Sequence, residues 1–407
     1  MKPTLEIFSQ GEEIVTGQTV DTNAAWLSQQ AVDCGFTVTR HTAVGDKLDD
    51  LIILLQDIAQ RTDCCICTGG LGPTSDDLTA EAVATAFNLP LEFDEIAFTQ
   101  ISRFFVNRNR TMPESNRKQA MLPQGAKRID NEWGTAPGFS LQYGRCWFAF
   151  IPGVPTEMQH LFLEGILPTL STRFLLQPGQ LVSIKTVGLG ESVIQERINA
   201  IEIPVEVELG FRAGPDEVQT KLLFPFNYPK TAMTTLVNRF AEKMGDYVFA
   251  IDGLGEITGD LAFEINKLMV NKKLTLAVVE TASQGLLAAK CMGSEWLLSA
   301  SYEQSTAKLG LVETNTENLI TTAKKIAVDL QKSSAADYVL VQFYTGDNNA
   351  LHNKDKAIIV HNILLTGDCF YQTTQPINGA IKRKQNQAAL LTLDLLRRHL
   401  QHKTINQ

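Results

Sequence analysis

The chain has 407 residues, of which 44% are hydrophobic and 20% are charged, and its formal net charge is −9. This composition is typical of a globular protein with more than one hydrophobic core, and the length suggests about three domains. The acidic balance argues against a nucleic acid or an anionic membrane as a partner, because a basic surface is needed to bind a polyphosphate. A small anionic ligand is still permitted, since backbone amides and a bound cation can hold it locally.

The cysteines and the N-terminus indicate the cellular compartment. The seven cysteines follow no disulfide spacing, and three of them lie in the apolar run 64–67, which favours reduced core residues. The N-terminus lacks the long apolar run of a signal peptide. No segment reaches the about 18 consecutive apolar residues of a membrane-spanning helix. We therefore expect a cytoplasmic protein without a membrane segment.

The first part of the chain alternates between short apolar runs and amphipathic segments. This alternation predicts a parallel sheet with crossover helices. A later apolar run over 147–155 predicts a further strand, and the helix after it closes a first domain at residues 1–170. The predicted strands are 4–8, 36–44 and 64–68, and the predicted helices are 22–34, 47–60 and 75–87.

Two further domains follow in the predicted α/β architecture. Residues 171–252 are predicted to form a small α+β hinge module, and residues 253–407 a C-terminal α/β domain. The module is predicted to contain strands at 181–190, 205–212 and 218–224 and helices at 190–201 and 230–244. The C-terminal domain is predicted to contain a helix from Leu261, strands at 274–280, 337–343 and 356–361, and helices at 285–291, 315–332 and 386–399.

A glycine-rich segment, residues 68–77, lies between a predicted strand and a predicted helix. Such sheets bind ligands in the crevice beyond the carboxyl ends of their parallel strands. Gly69, Gly70 and Gly72 would let the backbone approach an anion, with their amides facing phosphate oxygens. A simple structural turn is the alternative interpretation. Hydroxyl donors are available from Thr68, Thr74 and Ser75.

Asp76 and Asp77 end this segment, and their carboxylates have two interpretations. Carboxylates in the first turn of a helix stabilise that helix by themselves. Alternatively, they hold a divalent cation, Mg²⁺ or Co²⁺, beside the phosphate. Two carboxylates beside a phosphate site would repel the ligand unless a cation neutralised them, so the combination predicts a metal.

A second candidate loop follows the first predicted strand. Glu13 is a candidate metal ligand or general base, and Asn23 is a candidate for orienting a ribose or a phosphate. Because this loop also follows a strand, we expect it to face the same crevice. A capped turn without a ligand is the alternative.

A third candidate loop contains Pro152 and Gly153, followed by Glu157, which we assign as a further metal ligand. Asn116 and Lys118 lie between the second and third loops in a polar segment. We predict that they close over the bound phosphate. The alternatives are a structural Pro-Gly turn and a solvated, charged loop.

Six segments, GEEIVTGQTVDTNAAWL, TGGLGPTSDDLT, NRKQAMLPQGA, WGTAPGF, IPGVPTEM and VGLGES, resemble the CinA (competence/damage-inducible protein A) family in that order. The resemblance implies an N-terminal domain similar to the molybdopterin-binding fold, a hinge module, a C-terminal domain and a homodimer. It associates the N-terminal domain with ADP-ribose pyrophosphatase activity and the C-terminal domain with nicotinamide-mononucleotide amidohydrolase activity. One departure is Glu12, where the family has an aspartate. The family's phosphate, metal and other motif positions fall on Gly69, Gly70, Gly72, Thr74, Asp76, Asp77, Asn23, Asn116, Lys118, Pro152, Gly153 and Glu157.

The C-terminal domain departs further from the family pattern. The amidohydrolase loop Ala-Glu-Ser-Cys-Thr-Gly-Gly-Leu corresponds to residues 279–286, where Thr281 occupies the serine position and Gln284 replaces a glycine. The threonine methyl restricts χ1, and glutamine removes the permissive backbone of a ligand-cradling turn. We therefore expect this degenerate site to be inactive. Further departures lie at residues 342–347, Ile381 and Gln385.

The leading functional expectation is metal-dependent hydrolysis of ADP-ribose, or a related nucleoside diphosphate sugar, to AMP and ribose 5-phosphate. Asp76, Asp77 and Glu13 would act as the catalytic groups, and a metal-activated water would attack phosphorus. The amides of residues 69–72 would stabilise the developing charge. One alternative is a non-catalytic module that binds a pterin phosphate or a nucleotide. A second is a residual nicotinamide-nucleotide amidohydrolase that uses Thr281.

Overall fold

The structure is a computed structural model that describes residues 2–311, 315–346 and 349–405. The chain divides into a first unit, residues 1–179, and a second unit, residues 180–407. The division into three domains at 1–170, 171–252 and 253–407 stays a prediction.

The described residues of the first unit, 2–179, form eight strands, seven α-helices, a 3₁₀ segment and one π-helical segment. The strands are β1 (Thr4–Gln10), β2 (Thr37–Val44), β3 (Cys64–Thr68), β4 (Leu91–Phe93), β5 (Met121–Pro123), β6 (Lys127–Ile129), β7 (Gly138–Tyr143) and β8 (Cys146–Ile151). The helices are α1 (Glu12–Val15), α2 (Thr22–Cys34), α3 (Leu48–Arg61), α4 (Thr79–Ala86), α5 (Glu95–Val106), α6 (Pro155–His160) and α7 (Leu167–Arg173). The 3₁₀ segment is Glu114–Ala120, and the π-helical segment is Leu161–Ile166.

The main sheet of the first unit has the strand order β2-β1-β3-β8-β7-β6. Strands β2, β1, β3 and β8 are mutually parallel, which confirms the predicted α/β fold with a parallel sheet. Strand β7 is antiparallel to both of its neighbours, β6 and β8, and a two-residue turn at 144–145 connects it to β8. Successive side chains of β1 enter opposite cores: Ile7 packs in one hydrophobic cluster and Phe8 in the other.

Two elements of the first unit differ from prediction. Helix α4 begins at Thr79 instead of residue 75, so Asp76 and Asp77 precede the helix and do not lie in its first turn. Helix α5 lies where the sequence pattern predicts no helix. The Asp94 carboxylate caps it by accepting from two backbone amides, and Ala97 and Ile101 are buried at helical spacing.

The second unit contains nine strands, six α-helices and a short 3₁₀ segment, Gly245–Tyr247, in the residues that are described. The strands are β9 (Gln180–Thr186), β10 (Glu208–Ala213), β11 (Val218–Phe224), β12 (Val248–Asp252), β13 (Leu276–Glu280), β14 (Leu297–Tyr302), β15 (Tyr338–Thr345), β16 (Ile358–Thr366) and β17 (Cys369–Ile377). The helices are α8 (Glu191–Ile198), α9 (Lys230–Met244), α10 (Leu261–Lys272), α11 (Leu286–Lys290), α12 (Thr316–Ser334) and α13 (Ile381–Leu400).

Two sheets organise the second unit. The antiparallel sheet β10-β11-β9-β12 packs against α8 and α9. The mixed sheet β14-β13-β15-β16-β17 has α10 and α13 on one face and α12 on the other. No helix in the described ranges is long and apolar enough to cross a membrane.

Candidate functional site

Three loops of the first unit converge on a cavity of about 510 Å³ at the carboxyl ends of β1, β3 and β8. This is the edge at which parallel α/β sheets bind ligands. Thr74, Asn116 and Lys118 do not line the cavity, although the sequence analysis predicts that they contact the ligand. The predicted residues that do line it are Glu13, Asn23, Thr68, Gly69, Gly70, Gly72, Asp76, Asp77, Pro152, Gly153 and Glu157.

The glycine turn has a geometry that only glycine adopts easily. Gly69 and Gly70 have φ angles of +95° and +65°. A Cβ atom on Gly70 would overlap the Gln10 carboxamide and the Thr79 hydroxyl. The Gly69 amide donates to the Ile151 carbonyl at 3.1 Å, so this amide is not available to a phosphate as predicted. Within the described residues, the next three backbone N–H groups, residues 70–72, donate to no protein acceptor.

A hydrogen-bonded group around Gln10 supports this turn, and the sequence analysis does not predict it. The Gln10 Nε2 atom donates to Asp46 at 2.9 Å. The Thr79 Oγ1 atom lies 2.5 Å from Gln10 Oε1 and 2.9 Å from the Gly69 carbonyl oxygen. The Asp46 carboxylate also accepts from the Glu12 amide at 3.1 Å. These contacts connect the ends of β1 and β3.

The two aspartates of the turn have different surroundings. The Asp77 carboxylate accepts from the Thr74 amide at 2.8 Å and occupies the space that a side chain at residue 72 would need. Asp77 therefore shapes the turn. Asp76 is exposed, and the Thr74 hydroxyl, its own backbone amide and Lys118 hold the pKa of its carboxyl below the ordinary value. The Lys118 ammonium donates to the Thr74 carbonyl at 2.8 Å and so holds the turn from outside the cavity.

Glu157 is held by the loop that precedes β7. Its Oε2 atom accepts from Asn131 Nδ2 at 2.8 Å, and its carboxylate fills the space beside Gly134. The Asn131 Oδ1 atom accepts from the backbone amides of Trp133 and Gly134 at 3.0 Å each. Glu157 thus connects α6 to this loop through Asn131, which the sequence analysis does not single out.

Asn116 and Asn23 are positioned by different partners. Asn116 is buried and donates to Gln119 Oε1 at 2.7 Å, and Gln119 in turn lines the cavity and donates to the Leu71 carbonyl at 3.2 Å. Asn116 therefore positions Gln119 instead of closing over the ligand. Asn23 Nδ2 donates to the Gly153 carbonyl at 2.7 Å, and its buried Oδ1 atom has no partner in the described part of the chain.

The cavity is strongly acidic. Among the lining residues, which all lie in the described part of the chain, there is no lysine, arginine or histidine. No group of three or more His, Cys, Asp or Glu side chains in the described residues is placed to hold a metal ion. The divalent metal, with Asp76, Asp77 and Glu157 as its ligands, therefore stays a prediction. The carboxylates that line the cavity belong to Glu13, Asp21, Asp46, Asp76, Asp77 and Glu157.

The predicted degenerate site of the second unit lies at the end of β13. Thr281 is fully buried, and its hydroxyl has no hydrogen-bond partner among the residues described. The neighbouring Glu280 carboxylate accepts from two backbone amides at the start of α11, at 3.1 and 2.9 Å, and contacts the Ser283 hydroxyl. Gln284 adopts a φ of +49°, the left-handed conformation that a glycine would take at lower cost. Asp347 lies outside the described residues.

Comparison with known proteins identifies the class of the first unit and then the family of the chain. Residues 6–172 match the family described as a probable molybdopterin binding domain. The fold and this match define the first unit as a molybdopterin-binding-like domain. A CinA-like protein of Shewanella baltica (strain OS155) is 30% identical over 412 residues, covering 97% of this chain and 96% of its own length. The chain belongs to the CinA-like protein family.

Other similar proteins cover smaller parts of the chain. A CinA-like protein of Shewanella sp. (strain W3-18-1) is 36% identical over 284 residues, which span 70% of this chain and 66% of the relative. The nicotinamide-nucleotide amidohydrolase PncC of Shewanella oneidensis is 32% identical over 360 residues, covering 88% of this chain and 82% of the relative. A crystal structure of a CinA protein of unknown function from Thermoplasma acidophilum has a TM-score of 0.38 and 30% identity, covering 42% of this chain and 97% of its own.

Two functional expectations are wrong. The relatives carry the names CinA-like protein or nicotinamide-nucleotide amidohydrolase. The matched family is described as a probable molybdopterin binding domain. These findings overturn hydrolysis of ADP-ribose as the leading function. The sequence analysis predicts Asp76, Asp77 and Glu13 as the catalytic groups of that reaction, and their contribution to a ligand site stays a prediction. A relative that carries the amidohydrolase name across 88% of this chain also contradicts the expectation that this activity is lost.

Proposed function

We propose that the first unit binds a phosphorylated pterin in the cavity at the ends of β1, β3 and β8. The observation that carries the proposal is the run of three consecutive backbone N–H groups, residues 70–72, without an acceptor among the described residues. Successive amides in a turn with left-handed residues form a concave site for an anion. The description of the matched family, a probable molybdopterin binding domain, supports a pterin as the rest of the ligand.

The acidic lining favours a pterin over a nucleoside diphosphate. One edge of a pterin ring carries an amino group and a ring N–H, which donate to carboxylate oxygens. The Glu13 carboxylate lines the cavity and makes no hydrogen bond within the described residues, so it is available as an acceptor. A nucleoside diphosphate carries more negative charge than the single phosphate of the pterin, so its repulsion from the carboxylates of the lining costs more free energy.

Phosphate dependence tests this proposal. We expect a phosphorylated pterin to bind at least about tenfold more tightly than the same pterin without phosphate, because hydrogen bonds to a charged group contribute about 1.5–3 kcal/mol each. Pterin fluorescence gives both dissociation constants directly, and parallel titrations with magnesium and with a chelator test the predicted cation. Equal affinity for the two pterins would count against the proposal.

A second candidate function, nicotinamide-nucleotide amidohydrolysis in the second unit, is favoured by the name of one relative. The chemistry is hydrolysis of the carboxamide of nicotinamide mononucleotide to a carboxylate and ammonia. Thr281 is the candidate nucleophile because it occupies the serine position of the amidohydrolase loop and its hydroxyl has no hydrogen-bond partner among the described residues. Since Thr281 is fully buried, attack requires the substrate to reach it through a movement of the turn at 281–285.

Ammonia release from nicotinamide mononucleotide tests this second candidate. We expect Thr281→Ala to remove the activity and Thr281→Ser to retain it, because serine keeps the hydroxyl. Thr220→Ala is a matched control. Thr220 is also fully buried, and its hydroxyl has no partner in the described part of the chain, but it lies in the other sheet of this unit. The candidate fails if the wild-type protein releases no ammonia, or if Thr281→Ala is as active as the wild type.

A further inference from the structure

The second unit contains a separate cavity of about 410 Å³ that neither proposed function uses. Its walls come from the loop at 186–190, the hairpin turn at 214–218, the end of β17 and one face of α13. The cavity lies where elements of the two sheets of this unit meet. Its volume is in the range of small-molecule sites, which often form at such junctions.

Helix α13 presents a mixed polar and apolar face to this cavity. Arg383, Gln387, Leu390 and Leu391 line it, and their spacing of three to four residues places them on one side of the helix. Leu390 is almost fully buried, and apolar residues at the end of β17 continue the wall. This face offers a flat ring an apolar surface next to a guanidinium group.

The wall of the cavity is fixed by hydrogen bonds. The Asn386 side chain donates to the Pro215 carbonyl at 2.9 Å and to the Asp216 carboxylate at 2.7 Å. Lys290 pairs with the same carboxylate at 3.1 Å. Helices α13 and α11 therefore both hold the hairpin turn. A site with preformed walls loses less conformational entropy when it binds a ligand.

The charges of the lining favour an anionic group on the ligand. Arg383 makes no hydrogen bond or ion pair with any described residue, and it is the single basic side chain of the lining. The two acidic side chains have partners already: Asp216 pairs with Lys290, and Glu217 accepts from Gln219 Nε2 at 2.5 Å. The guanidinium is thus the charged group that remains open to a ligand, and its fork geometry suits a phosphate.

We infer that this cavity is a binding site for a mononucleotide, whose phosphate meets Arg383 and whose base packs on the apolar wall formed by Leu390 and the end of β17. The volume accommodates a ring, a sugar and one phosphate, and the wall supplies contacts for an uncharged ring. This site is independent of the pterin cavity, which lies in the first unit.

Calorimetric titration of the full chain with AMP tests the inference. We expect AMP to bind the wild-type protein, and Arg383→Gln to weaken binding by about tenfold or more, because a charge-assisted hydrogen-bonded pair is lost. Lys382→Gln is the matched control, since Lys382 is an exposed neighbour on the same helix that does not line the cavity. Adenosine, which lacks the phosphate, is expected to bind both variants and the wild type equally weakly.

The AMP titration is repeated with Gly70→Val, a substitution in the first unit, to distinguish AMP binding in the pterin cavity from AMP binding in the second unit. Unchanged AMP affinity in that variant, together with the loss in Arg383→Gln, supports a nucleotide site in the second unit whatever the fate of the pterin proposal. Absence of AMP binding to the wild type, equal affinity in Arg383→Gln, or loss of AMP binding in Gly70→Val would overturn the inference.

Discussion

Replacing Gly70 by valine is expected to weaken binding of a phosphorylated pterin by about a hundredfold or more. The residue has a φ of +65°, a conformation that is strained for a β-branched side chain. The added Cβ atom would also meet the Gln10 carboxamide and the Thr79 hydroxyl. The turn must move to relieve this contact, and its amides then lose alignment with the phosphate. Loss of two hydrogen bonds to a charged group corresponds to this factor.

Gly125→Val is the matched control for this experiment. Gly125 also has a positive φ, +78°, but a Cβ atom there would have no neighbour within 4 Å, and the residue does not line the cavity. Both variants carry backbone strain, so thermal unfolding separates a loss of stability from a loss of binding. A Gly70→Val protein that is folded and binds the phosphorylated pterin like the wild type would contradict the assigned role of the turn.

Replacing Arg397 by methionine is expected to lower the free energy of unfolding of the second unit by about 3–5 kcal/mol, the usual cost of breaking a buried ion pair from one side. Arg397 is fully buried. Its guanidinium donates to Asp394 at 2.6 and 2.8 Å, and to the carbonyls of Val248 at 3.1 Å and Asp246 at 2.6 Å. Without it, these two carbonyls lose a donor, and Arg398 is the one partner that the Asp394 carboxylate keeps among the described residues.

Hydrogen exchange of the α13 and β12 amides measures this effect locally, because it reports the opening free energy of each segment. Lys382→Met, an exposed position on the same helix, is expected to change exchange little. Unchanged protection of both segments in Arg397→Met would show that the buried guanidinium does not stabilise the junction of α13 with the antiparallel sheet.

The regular elements could be predicted where apolar periodicity is strong. Helices α2 and α9 and strand β11 have the predicted bounds, because each places its buried side chains at a clear helical or strand spacing. Strand β3 also has the predicted bounds, because it is a short apolar run that is buried throughout. Strand β17 could not be predicted, because it is an edge strand rich in Thr and Gln. It forms a strand through its pairing with β16. Its register is a tertiary property that the local pattern does not contain.

The candidate site was predictable only in part, for a similar reason. The glycine turn is local in sequence and is therefore visible in it. The contacts of Gln10 with Asp46 and of Gln119 with Leu71 join residues that are 36 and 48 positions apart, so they form only in the folded chain. The type of a residue also does not show which group its side chain will contact. An aspartate can bind a metal ion, but the Asp77 carboxylate accepts a hydrogen bond from the Thr74 amide.

Three further expectations from the sequence stay predictions. They are the divalent cation, the homodimer and the absence of a nucleic-acid partner. The titrations with magnesium and chelator bear on the first of them. The carboxylates that line the pterin cavity would attract a cation, and the cation would reduce their repulsion of a phosphate ligand.

A crystal structure of the full chain with a bound phosphorylated pterin would show whether the glycine turn holds the phosphate. We predict that a phosphate oxygen lies about 2.7–3.2 Å from at least one backbone nitrogen of residues 70–72, the ordinary range for a hydrogen bond. We also predict that the ring lies against the carboxylate lining, with its amino edge towards Glu13. A phosphate bound elsewhere, or amides of the glycine turn that face away from the ligand, would contradict this mode of binding.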